Sequence, residues 1–319
     1  MPGRVRWGAV ILYTVLACAL AWLVCLPLWI GDGLVAPLAA VLLPAMMLTP
    51  MLAALVVTFA LRTPAPGMRL RGLGLWPLRP AKRVVGMIVL GWLAPPVIVV
   101  LTVVVAVALG FVHPDWAFTA FAAELAAKVP PGTALPPTSV IVLAQVATIP
   151  LAAILNAVFA FGEELGWRGW LLPALRPLGT WPALLLSGAI WGFWHTPVIL
   201  LGYNFGRMDA TGVLLMIVGC VGWGVLFGWL RLRSGSVWPA VLAHGALNAA
   251  AGLVVLLGAT QTDLALAGPL GVSGWIVCGL VIVVLALTRQ FRAQPPLAPP
   301  RPRPVATPAP PASSASSSA

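Results

Sequence analysis

Residues 139–162 read SVIVLAQVATIPLAAILNAVFAFG, and the chain continues Glu163-Glu164-Leu165-Gly166-Trp167-Arg168-Gly169. An uncharged apolar run of that length is long enough to cross the ~30 Å hydrocarbon core of a bilayer as a helix. It ends on two adjacent carboxylates in a chain with only seven acidic residues. An ionisable side chain at membrane depth costs roughly 2.5–3.5 kcal/mol on insertion scales, so such a residue is functional by default. An interfacial carboxylate paired with Arg168 would account for Glu164. It leaves Glu163 unexplained.

The rest of the chain repeats the pattern. It is 61% hydrophobic and 8% charged, with a mean hydropathy of +1.03. No soluble globule of 319 residues could hide that much apolar surface. Further apolar runs lie at about 7–30, 34–61, 84–112, 181–201, 212–230, 237–258 and 266–288. The expected fold is therefore all-α, a polytopic transmembrane helical bundle of about eight spans. Gly31-Asp32-Gly33 leaves room only for a tight hairpin between the first two. The apolar core of the first run exceeds the about 7–15 residues of a signal-peptide h-region and is read as a retained helix. One integral domain covers 1–289, with a basic Pro/Gly-rich loop at 62–83 and a short helix expected near 116–128. Residues 290–319 are mostly Pro, Ala and Ser and read as a disordered tail.

The net charge of +11 is unevenly placed. With the N-terminus in the cytoplasm, all of the 18 basic residues except Lys128 and Arg207 fall on the cytoplasmic side. That bias predicts both termini in the cytoplasm. It makes anionic lipid the expected partner of the basic face, and nucleic acid is not needed to explain the charge. Cys18, Cys25, Cys220 and Cys278 all lie inside apolar runs without CxxC spacing and read as small buried hydrophobes. The pairs Gly188/Gly192 and Gly224/Gly228 read as close helix packing.

Besides the glutamates, the apolar runs hold few groups able to handle a proton. They are His195 and His244, joined by the amide of Asn248. His244 and Asn248 are four apart and share a helix face. Glu164 and Arg168 are also four apart, acid first, the favourable order for an ion pair. Glu163 points about 100° away from Glu164 and is free to face a cavity. A carboxylate, two imidazoles and an amide can hydrolyse an amide bond by activating water and binding an oxyanion. The same side chains can instead hold a metal through Glu163, His195 and His244, with water at an open position. HExxH is absent.

Residues 163–169 resemble the EExxWRG signature of the CAAX prenyl protease and bacteriocin-processing (CPBP) family of intramembrane proteases, which includes type II CAAX prenyl proteases and Abi-like proteins. Trp191-Gly192-Phe193-Trp194-His195 resembles its FxxxH motif, with Trp191 in place of the usual Phe. His244-Gly245-Ala246-Leu247-Asn248 resembles its HxxxN motif. Order and spacing agree over about 140–250. The resemblance implies an endopeptidase in which Glu163 activates water, His195 positions it, and His244 with Asn248 forms the oxyanion site. Glu164 assists or holds architecture. No cofactor is required on this view, although the family's metalloprotease label keeps zinc or another divalent ion as the alternative. The expected substrate is a membrane-embedded or lipidated peptide, and the expected location is a bacterial cell membrane. A catalytically silent immunity or scaffold protein would lack one of these residues, and none is missing. A proton-coupled transporter would carry inverted repeats, and no convincing repeat is present.

Depth is the one mismatch. If the fourth span ends at 162, Glu163 lies near the cytoplasmic face while His195 lies roughly 21 Å deep and His244 roughly 10 Å. The sequence suggests that the fifth span starts above the bilayer surface, with Trp181 as an interfacial anchor and Pro182 in its first turn.

Overall fold

A computed structural model describes residues 4–130, 132–258 and 262–292. The stretch from 293 onward, most of the expected tail, lies outside them. In chain order the helices are α1 (Trp7–Ile30), α2 (Ala39–Met46), α3 (Thr49–Ala60), α4 (Arg69–Gly72), α5 (Ala81–Ala108), α6 (Thr119–Ala127), α7 (Thr138–Glu164) and α8 (Leu172–Leu175). They continue as α9 (Thr180–Trp194), α10 (Thr196–Ile199), α11 (Ala210–Ser234), α12 (Trp238–Ala250), α13 (Leu253–Leu257), α14 (Leu264–Ala267) and α15 (Val272–Leu287). Among the described residues there is no strand, only an isolated bridge between Pro114 and Gly258. The protein is an all-α polytopic bundle, and among the described residues 7 stretches are long and apolar enough to cross a membrane.

The expected span at 181–201 differs from these seven. It is split at His195 into the 15-residue α9 and the short α10. Pro197 sits in the first turn of α10, where a missing N–H is tolerated, but it cannot continue the ladder of α9. The span expected at 34–61 remains one of the seven as Ala39–Ala60, although it is divided into α2 and α3, with Pro50 in the first turn of α3.

The fourth span does not end at 162. Helical winding runs without interruption from Thr138 to Leu178, as α7, a wider π-wound segment Leu165–Leu171, α8 and a last tight turn. Charge at Glu163-Glu164 resembles a membrane boundary in the sequence. In the bundle the charge on Glu164 meets Arg168 and His244 instead, so the helix can carry it onward. This removes the depth mismatch. Glu163 stands about fifteen residues before Leu178 and His195 about fifteen after Thr180, so the two meet at equal depth across the hairpin. The fifth span need not start above the surface.

Close helix approach depends on glycine. A Cβ on Gly245 of α12 would lie 2.6 Å from the backbone nitrogen of Ala157 in α7. On the other side of α12, Gly91 of α5 lies against the carbonyl of Pro239. Gly188 and Gly192 of α9 abut the α11 backbone at Val221 and Ile217, and Gly224 faces Gly188. Both glycine pairs noted in the sequence thus bear on packing, Gly188/Gly192 and Gly224 by seating α9 on α11, and Gly228 by making room for Leu184.

The ends of the bundle are tied by indoles. Trp29 Nε1 donates to the Pro197 carbonyl at 2.9 Å, so the end of α1 and the turn after α9 share a level. At the other end Trp170 Nε1 donates to Thr63 O (2.8 Å) and Trp238 Nε1 to Leu75 O (3.3 Å). The four cysteines are free; Cys25, Cys220 and Cys278 are buried and Cys18 is partly so.

Candidate active site

Each glutamate is held by the residue one helical turn further on. Glu163 Oε2 accepts from Trp167 Nε1 at 3.3 Å, and Glu164 Oε1 accepts from Arg168 Nη1 at 2.7 Å. Side chains four apart share a helix face, so the spacing Glu-Glu-x-x-Trp-Arg gives each carboxylate its own partner. The π winding begins immediately after Glu164, a common place for such bulges to re-aim side chains at a functional site. Gly166 lets this segment lie against α3 and α1, since a Cβ there would come within 2.5 Å of Pro50 and the Tyr13 hydroxyl.

The glutamates then diverge. Glu163, Trp191, His195, His244 and Asn248 line one cavity of about 320 Å³; Glu164 and Arg168 do not. Glu164 is fully buried behind this wall, and its Oε1 also meets His244 Nδ1 at 2.9 Å. A carboxylate oxygen can only accept, so Nδ1 carries the proton and Nε2 lies on the opposite edge of the ring. Arg168 covers the other side, its guanidinium 4.4 Å from the Trp191 ring centroid and 5.3 Å from Phe227. A buried carboxylate between a guanidinium and an imidazole compensates charge in a place with little water.

Trp191 joins the parts. Its Nε1 donates to Glu163 Oε2 at 2.6 Å, and its carbonyl accepts from His195 Nδ1 at 2.9 Å. Its ring meets His244 edge-on at 5.3 Å. His195 is therefore held as the Nδ1–H form, with Nε2 as an acceptor. Trp194 packs edge-to-face on His195 at 4.6 Å and is pinned by its own Nε1 to Thr49 Oγ1 at 3.1 Å.

The sequence singles out six cavity or partner residues and misses others. Asn156 lines the cavity two turns before Glu163 on the same face of α7. A lone amide seven positions before the glutamate was the available signal. Tyr203 and Asn204 reach the cavity from an irregular loop, which no periodicity could reveal. Trp191 enters the sequence reading only as a replacement for the usual Phe, whereas its N–H contacts the glutamate directly.

Among the described residues no three His, Cys, Asp or Glu side chains are grouped so as to hold a metal ion. Oε2 of Glu163 is already engaged by two indole N–H groups.

The arrangement offers one carboxylate in an apolar cavity, an acceptor imidazole beside it, and a buried acid–base pair behind. Residues 144–250 match the family model described as Type II CAAX prenyl endopeptidase Rce1-like. No curated protein matches the chain.

Proposed function

We infer that this chain, a membrane protease of the CPBP family over the matched segment, hydrolyses a peptide bond of a membrane-associated peptide or protein by water activated at Glu163. The family supports a CAAX-type intramembrane endopeptidase. The observation that carries the finer reading is the split between the glutamates: Glu163 faces the cavity and Glu164 faces His244 and Arg168.

In this mechanism Glu163 Oε2 stays bound to the two indoles and Oε1 takes a proton from water. His195 Nε2 accepts the water's second hydrogen bond and aims it. The hydroxide adds to the scissile carbonyl, and the negative charge moves onto the carbonyl oxygen. The Asn248 amide donates to that oxygen, and so does His244 when its Nε2 also carries a proton. Such donors are worth roughly 2.7–4 kcal/mol each where measured. Glu164 serves as counter-charge to His244, and Arg168 keeps the buried group near neutrality once the oxyanion forms. Collapse breaks the C–N bond, and Glu163 returns its proton to the leaving amine.

The test compares cells carrying the native chain and Glu163→Gln, with new protein N-termini in the membrane fraction read by mass spectrometry. Glutamine keeps the shape but cannot accept the proton, so cleavage should fall by about 10²–10⁴-fold. Unchanged cleavage by a folded, inserted Glu163→Gln chain would sink the general-base role.

A further inference from the structure

The catalytic cavity has a direction. Glu163, Trp191 and His244 form its floor, and the other wall residues lie toward one end of the bundle. Asn156 precedes Glu163 toward the start of α7, and Asn248 follows His244 toward the end of α12. Tyr203 comes from the loop after α10, and Leu270 from the corner before α15. None of the wall residues comes from the 61–83 loop, from 165–178, or from the turn joining α11 to α12. The hydrogen bond from Trp29 to Pro197 puts the hairpin after α1 at this same end.

Charge is segregated between the two ends. Asp32, Asp115, Glu124, Asp209 and Asp263, which are all the acidic residues outside the site, lie at the cavity end. The basic residues there are Lys128 and Arg207, paired with Glu124 and Asp263. At the far end stand Arg62, Arg69, Arg71, Arg79, Lys82 and Arg83, with Arg233 and Arg289. Arg168 and Arg231, counted in the sequence toward that face, are buried in the bundle and drop out. The asymmetry survives their loss. Positive charge in short loops marks the cytoplasmic side of a membrane.

We propose that the active-site cavity opens away from the cytoplasm, so that the enzyme takes a membrane-anchored polypeptide segment presented from the outer half of the bilayer or its outer surface. A tail displayed in the cytoplasm would meet the closed, basic end of the bundle. The substrate class follows from topology: a peptide already carried across the membrane and still held to it by an apolar stretch or a lipid. Calling it a substrate rests on the proteolytic function above; the direction of the cavity does not.

The test is therefore made independent of catalysis. Single cysteines are placed in the full chain at Tyr203, which lines the cavity, at Met208 on the same loop, and at Ala65 on the basic loop. Intact cells are treated with a charged, membrane-impermeant maleimide, then compared with permeabilised cells. The unsubstituted chain, whose cysteines are buried or partly so, gives the blank. Tyr203→Cys and Met208→Cys should label in intact cells, and Ala65→Cys should gain its signal several-fold only on permeabilisation. The reverse pattern, or equal labelling at both ends in intact cells, overturns the proposal. Failure of proteolysis would appear in the Glu163→Gln comparison and would leave this labelling pattern untouched.

Discussion

The indole of Trp191 and the carboxylate of Glu163 form a 2.6 Å hydrogen bond in a buried wall of the cavity. Through its carbonyl the same residue sets the tautomer of His195. One residue thus orients both groups that would handle the water. Replacing Trp191 by Phe, the residue its motif resembles, keeps an aromatic ring and removes the donor. A hydrogen bond to a charged group is worth roughly 1.5–3 kcal/mol, so kcat should fall by about 10–100-fold. KM and the unfolding temperature should change little, because Trp167 still donates to Glu163. An unchanged kcat would make the indole donor dispensable.

Glu164 and Arg168 should behave as a unit. Both are almost fully buried and 2.7 Å apart, so removing either strands a charge, at a cost of about 3–5 kcal/mol. The double substitution should be milder than the sum of the singles by about 0.5–3 kcal/mol. Thermal unfolding of Glu164→Gln, Arg168→Met and the pair in detergent measures this. Strict additivity would mean that the contact contributes nothing.

Gly245 is expected to be intolerant. Its backbone meets α7 so closely that a methyl group collides with the Ala153 carbonyl and the Ala157 nitrogen. Gly245→Ala must push α12 from α7, costing about 1–3 kcal/mol, and must move His244 with it. A lower unfolding temperature together with reduced cleavage is expected, whereas Gly252→Ala, with open space around it, should match the native chain. Equal stability of the two variants would refute close packing at Gly245.

Metal dependence is expected to be absent. Asn248 is a poor zinc ligand and a good hydrogen-bond donor, and the three candidate ligands do not cluster among the described residues. Purified enzyme should remain active after exhaustive chelation. Stoichiometric zinc, with activity lost on its removal and restored on its return, would reverse this choice.

Much of the bundle was legible because apolar runs of membrane length leave few options. The two-faced use of Glu163 and Glu164 was legible too, since helical spacing alone separates neighbours by about 100°. What escaped the sequence depended on tertiary neutralisation. The fourth span looked finished at Gly162 because nothing local shows that His244, eighty positions away, reaches Glu164. The break at His195 was signalled by Pro197, but a proline in an apolar run is equally compatible with a kinked span, as Pro95 and Pro96 inside α5 demonstrate.

The shortness of α9 bears on the lipid. Its 15 residues rise only about 22 Å, well under the ~30 Å of bilayer hydrocarbon. Leu185 and Phe193 on this helix are exposed on the outside of the bundle, where acyl chains would meet them. Hydrophobic mismatch of that size is relieved by local thinning of the bilayer at fractions of a kcal/mol per Å. A bilayer that thins there would shorten the way for water to His195 at the end of α9, and a thicker one would lengthen it.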